Sequence, residues 1–258
     1  MERLVNAGRK FYGLGLLGLG IQQFFYGDFL AVFVPAWSAS VPGQAVWAYL
    51  VAAVLALGGG AIVLERKTNA VGVLLGGLFL LLFVAVHLPY QLQVNPDAGQ
   101  IGAWTNSFKV LTLSGGAFVV AGSLGQNHST DPLTGFLRKF IPLGRIFFAI
   151  TLFTFGVDHF LYIRFVAALV PAWIPGKTFW AYFAGVALIG SGLGLGLKIK
   201  MKEVAFLTGL MIFLWFLVLH IPRAMADPLG QHGNEVTSVF EALAFSGIGF
   251  MLMRNSTR

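Results

Sequence analysis

The sequence contains no cysteine and few charged residues. Without cysteine the chain forms no disulfide, no thiolate metal site and no thiol redox relay, so any redox role requires a bound cofactor or a partner protein. Charged residues make up 10% of the 258 residues and hydrophobic residues 57%. A soluble domain carries roughly 25% charged residues. This composition excludes an ordinary soluble domain and predicts that a lipid bilayer surrounds the chain.

The charges that are present are mostly basic, with a net charge of +7. The two tails and alternate loops hold 13 of the 17 Lys and Arg residues, while the opposite loops hold Arg164, Lys177 and Arg223. Because Lys and Arg accumulate in cytoplasmic loops, we interpret the excess as a signal of orientation and expect no nucleic-acid partner. The asymmetry predicts that both termini are cytoplasmic. The absence of a recognisable targeting signal fits a bacterial inner membrane.

The two halves of the chain resemble each other. FVPAW at 33–37 recurs as LVPAW at 169–173, and WAY at 47–49 recurs at 180–182. Three further matches keep the same order with offsets of 132 to 136 residues: 20–24 with 156–160, 87–89 with 220–222, and 114–115 with 246–247. The amino-terminal 40 residues imitate a secretory signal, but the same segment recurs in mid-chain, so we expect it to be an uncleaved structural helix.

Apolar segments long enough to cross about 30 Å of hydrocarbon occur eight times. They lie near 11–27, 44–64, 70–92, 104–125, 144–162, 178–198, 204–223 and 236–254. We therefore expect an all-α integral membrane protein of about eight transmembrane helices. It consists of two tandem four-helix bundles, 1–126 and 144–258, joined by a cytoplasmic linker at 127–143. Each unit has an even number of spans, so both insert with the same polarity and a pseudo-twofold axis along the membrane normal relates them.

After the short first helix of each half, proline and tryptophan interrupt the apolar pattern. Trp37 lies in the first of these segments and Trp173 in the second. Proline breaks helical hydrogen bonding and tryptophan favours the headgroup region, which is typical of an interfacial or re-entrant elbow. A plain loop with a buried tryptophan is the alternative.

Ionisable residues within the apolar segments are the main candidates for function. On insertion scales such a residue costs at least about 2.5 to 3.5 kcal/mol, so it needs a partner. The second half holds Asp158, His159, His220, Arg223 and Glu241, all toward the non-cytoplasmic side. They predict one polar pocket near the outer leaflet, where His220 and Arg223 share a helical face. A hydrogen-bonded packing network is the alternative interpretation.

At the matching positions the first half has Gln23, His87 and Lys109, so only the histidine that matches His220 is the same in both halves. Lys109 aligns with Glu241, so the two halves place opposite charges at equivalent depths. We predict an intramembrane ion pair between them across the two repeats. The alternative is that each charge pairs within its own bundle.

Metal and nucleotide chemistry have weaker support. His159, His220 and Glu241 are residue types that bind zinc, iron or copper, but no H-x-x-x-H or E-x-x-H pattern accompanies them. Bis-histidine haem between His87 and His220 is disfavoured further, because the repeat alone explains their pairing. The glycine pattern at 13–18 lies inside an apolar segment and predicts close helix packing, not dinucleotide binding.

Several motifs together resemble the DoxX-like family of four-helix membrane proteins. They are a short first helix ending in GVDHF at 156–160, an elbow with VPAWIP at 170–175, a glycine-rich second helix, and Glu241 followed by Ser246 and Gly247. Each half resembles one such unit. The resemblance implies membrane redox chemistry, since the family includes subunits of a thiosulfate:quinone oxidoreductase.

We therefore expect a redox-associated or quinone-linked membrane component. His159 and Glu241 would exchange protons with a quinone or another lipophilic molecule, Arg223 would hold an anionic group, and a redox protein would be the partner. A small-molecule carrier using the repeat interface and a non-catalytic assembly or scaffold subunit are the alternatives. The residues alone do not decide whether the chain is an enzyme.

The predicted orientation can be tested by single-cysteine labelling, because the natural chain has no cysteine. With a membrane-impermeant maleimide on intact cells, Lys177→Cys should react, whereas Lys202→Cys should react only after permeabilisation. The reverse pattern would contradict cytoplasmic termini.

Overall fold

The computed structural model describes residues 1–35, 42–124 and 131–254, and every regular element within them is helical. The first half forms α1 (Glu2–Tyr26), α2 (Gln44–Val63), α3 (Thr68–Leu82), α4 (Leu88–Gln93) and α5 (Thr105–Gly122). The second half forms α6 (Pro132–Leu137), α7 (Gly144–Leu161), α8 (Ile163–Leu169), α9 (Lys177–Gly196), α10 (Met201–Trp215), α11 (Ile221–Ala226) and α12 (Gly230–Leu252). The predicted boundary at 126 and Trp37 lie outside the described residues.

The two halves share the order and length of their main elements. Helices α2 and α9 have 20 residues each, and each follows a glycine with left-handed backbone. Helices α3 and α10 have 15 residues each, and a five-residue π-helical segment follows both. Those segments, Phe83–His87 and Phe216–His220, end at the two matching histidines. This correspondence is what a duplication of one unit predicts.

Six helical stretches are long and apolar enough to cross a membrane. They are Gln44–Val63, Thr68–Gln93, Pro132–Leu161, Lys177–Gly196, Met201–Ala226 and Gly230–Leu252. They indicate an integral membrane protein. Helices α1 and α5 are not among the six, because α1 carries charges in its first turns and glutamines near its end, and α5 begins with the polar sequence TNSFK.

The helices pack in an order that interlocks the two halves. Helix α1 packs against α2 and α12, while α5 packs against α3 and α7. The first helix of each half thus packs against the second helix of its own half and against the fourth helix of the other half. Helices α5 and α12 also touch each other. This differs from two self-contained four-helix bundles, which would place those fourth helices against the first helices of their own halves.

Matching glycine pairs allow both crossings between the halves. A Cβ atom on Gly8 would lie 2.6 Å from the carbonyl oxygen of Gly247, and one on Gly144 would lie 2.6 Å from that of Gly115. Only glycine permits backbones to approach so closely without displacement. The predicted packing role of the glycine pattern at 13–18 is confirmed, because Cβ atoms at these glycines would collide with neighbouring helices.

The basic loops and both ends of the described chain lie at one end of the molecule. Arg254 donates a hydrogen bond to the carbonyl of Ser123, and Arg138 binds the side chain of Asn69. Nearby, the carboxylate of Asp131 caps α6 by accepting from the backbone N–H of Thr134, and this hydrogen bond lowers the pKa of Asp131. These contacts place at one end the loops to which the Lys and Arg distribution assigns a common side.

The two elbows lie at the opposite end and differ from each other. Leu30, Val32 and Phe33 of the first elbow are buried, whereas Phe165 in α8 is 67% exposed and Trp173 is 71% exposed. An exposed Trp173 disagrees with a loop around a buried tryptophan and agrees with an interfacial elbow. The described start of the first elbow, up to residue 35, is therefore part of the packed bundle, whereas the second elbow is on its surface.

Close approach at the crossing of α1 and α12 gives a test of the packing order. We expect Gly247→Ala to destabilise the protein by about 1 to 3 kcal/mol, because the added methyl group would overlap the carbonyl of Gly8. Gly190→Ala is the matched control, since nothing lies within 4 Å of a Cβ there. Thermal unfolding in detergent measures both, and equal midpoints would contradict the crossing.

Candidate functional site

A buried ion pair joins the two halves. The Nζ of Lys109 in α5 lies 2.8 Å from Oε2 of Glu241 in α12, and the two side chains are only 15% and 4% exposed. The predicted ion pair across the repeats is confirmed, and the alternative of separate pairing within each bundle is wrong. The contact forms because α5 and α12 meet where the two halves interlock.

Lys109 satisfies only part of the carboxylate of Glu241. The second oxygen, Oε1, is buried and has no hydrogen-bond partner among the described residues. A buried polar atom left without a partner costs about 1 to 3 kcal/mol, and more when it is charged. A buried ion pair is itself weak evidence for stabilisation, because desolvation offsets the attraction. The arrangement therefore leaves a place for a proton or a ligand hydrogen bond at Glu241.

His220 lies in the same charged region. Its Nδ1 atom is buried and without a partner in the described part of the chain. The charges of Lys109, Arg223 and Glu235 all lie within electrostatic range of the ring. A neutral imidazole nitrogen can donate or accept, depending on its tautomer, so Nδ1 offers one further hydrogen bond.

The local sequence explains how His220 is positioned. Pro222 has no N–H group, so a regular α-helical hydrogen bond to the preceding turn cannot form. The chain instead adopts the π-helical segment Phe216–His220 between α10 and α11. Such segments rotate the following side chains relative to a regular helix and often occur at functional sites.

Arg223 is paired differently from the sequence prediction. It donates through Nε to Glu235 at 2.9 Å and makes a second contact with the same carboxylate. The guanidinium of Arg223 is therefore already occupied, and an anionic ligand could bind it only by displacing Glu235. Sequence reasoning missed Glu235 because it precedes the predicted span 236–254, and the only signal was an acid close to Arg223 on the same side of the membrane.

Asp158 and His159 belong to a second group of residues on α7. The ring of His159 stacks on Trp215 with centroids 6.4 Å apart, and its Nδ1 lies 2.7 Å from the carbonyl of Phe155. Oδ1 of Asp158 is buried and has no partner within the described ranges. Neither residue forms a hydrogen bond or ion pair with Glu241 or His220 there. The single pocket therefore stays a prediction, and Trp215, on which His159 stacks, adjoins the π-helical segment that leads to His220.

In the first half, the matching side chains of His87 and Gln23 form hydrogen bonds within the protein. His87 is buried and contacts the carbonyl of Phe33 at 3.1 Å and the hydroxyl of Ser107 at 3.3 Å. Gln23 donates to the carbonyl of Ala48 and accepts from the backbone of Leu30. Both side chains fix the buried first elbow, which identifies them as structural residues.

The described residues bring together no group of three or more His, Asp or Glu side chains that could hold a metal ion. The candidate ligand set His159, His220 and Glu241 is therefore not assembled as a metal site in the described part of the chain.

No protein-family model, curated protein or solved structure matches the chain. The fold and composition define it as an integral membrane protein, and its function has to be argued from its own site.

Exchange of the two charges tests the ion pair. Lys109→Glu and Glu241→Lys should each destabilise the protein by about 3 to 5 kcal/mol, because each leaves like charges buried together. The double exchange should recover most of that loss. Arg223→Gln is the comparison, with a loss of about 1 kcal/mol or less expected for a partly exposed pair. Chemical unfolding in detergent is the measurement, and additive damage in the double variant would contradict the pair.

Proposed function

We propose that the chain crosses the membrane eight times as a duplicated DoxX-like protein, with α1 and α5 as the two additional spans. The packing supports this, because α1 lies between the candidate spans α2 and α12, and α5 lies between α3 and α7. Eighteen helical residues, the length of α5, extend about 27 Å and nearly match the hydrocarbon thickness. A helix enclosed by other helices needs less apolar surface than one facing lipid, which explains the polar residues of both.

We propose further that this protein is a quinone-linked membrane component in which Glu241, Lys109 and His220 exchange protons with a lipophilic ligand. The supporting observation is the buried Lys109–Glu241 pair with two unpartnered atoms beside it, Oε1 of Glu241 and Nδ1 of His220. Ionisable groups are rarely kept inside a membrane protein without a functional reason. The titratable groups of Glu241 and His220 can exchange protons, and the ammonium group of Lys109 can donate a hydrogen bond, which are the two kinds of contact that a quinone requires.

The chemistry assigns a role to each group. A quinone takes up two electrons and two protons to become a quinol, and its carbonyl oxygens accept hydrogen bonds. Lys109, and His220 in the neutral tautomer that carries its proton on Nδ1, would donate those hydrogen bonds, and Glu241 would pass protons to and from the ligand. The chain has no cysteine, so the electrons would come from a redox partner protein. His159 would contribute through its stack on Trp215 and not as the first proton donor.

A carrier for a small molecule is the second candidate. The same ion pair favours it, because the pair lies where the two halves meet and carriers often use a repeat interface. Uptake of labelled solutes into proteoliposomes distinguishes the two. Flux that stops in the Lys109→Met variant would support the carrier, whereas quinone binding without flux would support the redox component.

The quinone proposal can be tested by binding. Protein purified without added quinone should release quinone on organic extraction, and a short-chain ubiquinone or menaquinone analogue should bind it. His220→Ala and Glu241→Gln should each weaken that binding by about tenfold or more, as expected for the loss of a buried polar contact. His232→Ala is the matched control, since His232 is exposed at the same end of the molecule. Absence of quinone binding, or equal losses in all three variants, would overturn the proposal.

A further inference from the structure

A cavity of about 270 Å³ opens at the end of the molecule that holds the basic loops, far from Glu241 in the fold. One part of its lining is apolar. It consists of Phe118 and Val119 of α5, and of Ile141 and Pro142 in the 3-10 helix Arg138–Leu143 between α6 and α7. The other part carries two cations, Arg145 in the first turn of α7 and Lys198 in the loop after α9. Its volume is near the lower limit of the roughly 300 to 1,000 Å³ of small-molecule pockets.

The two cations that line the cavity have no acidic partner among the residues 1–35, 42–124 and 131–254. Arg145 donates through Nη1 to the carbonyls of Leu195 and Gly196, the second at 2.7 Å, and these bonds hold it at the end of α9. Within the residues that the structure describes, neither Arg145 nor Lys198 forms an ion pair with a carboxylate. The cavity therefore combines an apolar wall with uncompensated positive charge.

The first half provides an internal comparison. Arg9 occupies the position in α1 that Arg145 occupies in α7, 136 residues later, and Glu65 occupies the position of Lys198, 133 residues later. Glu65 and Lys198 share the same left-handed backbone, with φ of 57° and 59°. The carboxylate of Glu65 acts electrostatically on Arg9. The first half therefore supplies its own counter-charge, and the second half has a second cation in its place.

We propose that this cavity binds the phosphate headgroup of an anionic phospholipid, with Arg145 and Lys198 as the phosphate ligands. Basic pockets between transmembrane helices are suited to such headgroups. The apolar wall lets the glycerol and acyl region remain in contact with the protein, which a free phosphate ion does not need. The site is independent of the proposed quinone site, because it lies at the opposite end of the molecule and shares no residue with it.

The test is lipid binding to the full chain, measured by native mass spectrometry with phosphatidylglycerol and phosphatidylcholine of identical acyl chains. We expect preferential binding of phosphatidylglycerol, and a loss of about tenfold or more in Lys198→Glu. That variant recreates the charge arrangement of the first half, so it should keep its thermal stability. Lys198→Gln should lose a smaller part of the binding.

Lys202→Glu is the matched control, because Lys202 is exposed at the same end, undergoes the same change of charge and does not line the cavity. It should change phosphatidylglycerol binding by less than about twofold, as expected for a screened surface charge. Equal losses in Lys198→Glu and Lys202→Glu would overturn the site. Equal binding of phosphatidylcholine, or displacement of phosphatidylglycerol by millimolar inorganic phosphate, would also overturn the lipid assignment.

Discussion

The contact between Lys109 and Glu241 is the constraint on which the rest of the arrangement depends. Two opposite charges in an apolar bundle have to meet, since a lone buried charge would cost several kcal/mol. Their meeting fixes α5 against α12, and the glycine pairs then bring α7 onto α5 and α1 onto α12. The two halves are therefore parts of one bundle, and neither buries its first helix without the other.

The duplication has let the two halves acquire different chemistry at equal positions. His87 engages both ring nitrogens, one with Phe33 of the first elbow and the other with Ser107 of α5, whereas His220 keeps one nitrogen buried and without a partner among the described residues. Glu65 places a negative charge within electrostatic range of Arg9, whereas Lys198 adds to the positive charge of Arg145. In the first comparison the first-half histidine is fully paired and the second-half histidine is not, and in the second comparison only the first half places an acid within electrostatic range of its arginine. This explains why both proposed sites involve second-half residues.

Much of the fold could be predicted from the sequence, because membrane helices have a strong apolar signal. The predicted spans 44–64 and 178–198 agree within two residues with α2 and α9, and the ion pair followed from aligning the two halves. The packing order could not be predicted, because hydropathy shows that a helix is apolar and not which neighbour it meets. For the same reason the sequence could predict one pocket for Asp158, His159 and Glu241 but could not show that His159 stacks on Trp215 while Glu241 pairs with Lys109.

The most direct test of this account is the distance between the side chains of Lys109 and Glu241 in a lipid bilayer. Solid-state NMR on protein labelled with ¹⁵N at lysine Nζ and ¹³C at glutamate Cδ measures it, and Glu241→Gln identifies the signal. The account predicts a separation of about 3 to 4 Å, as in a charge-assisted hydrogen bond. A separation beyond about 6 Å, or a signal unchanged in Glu241→Gln, would contradict the interlocked arrangement of the two halves.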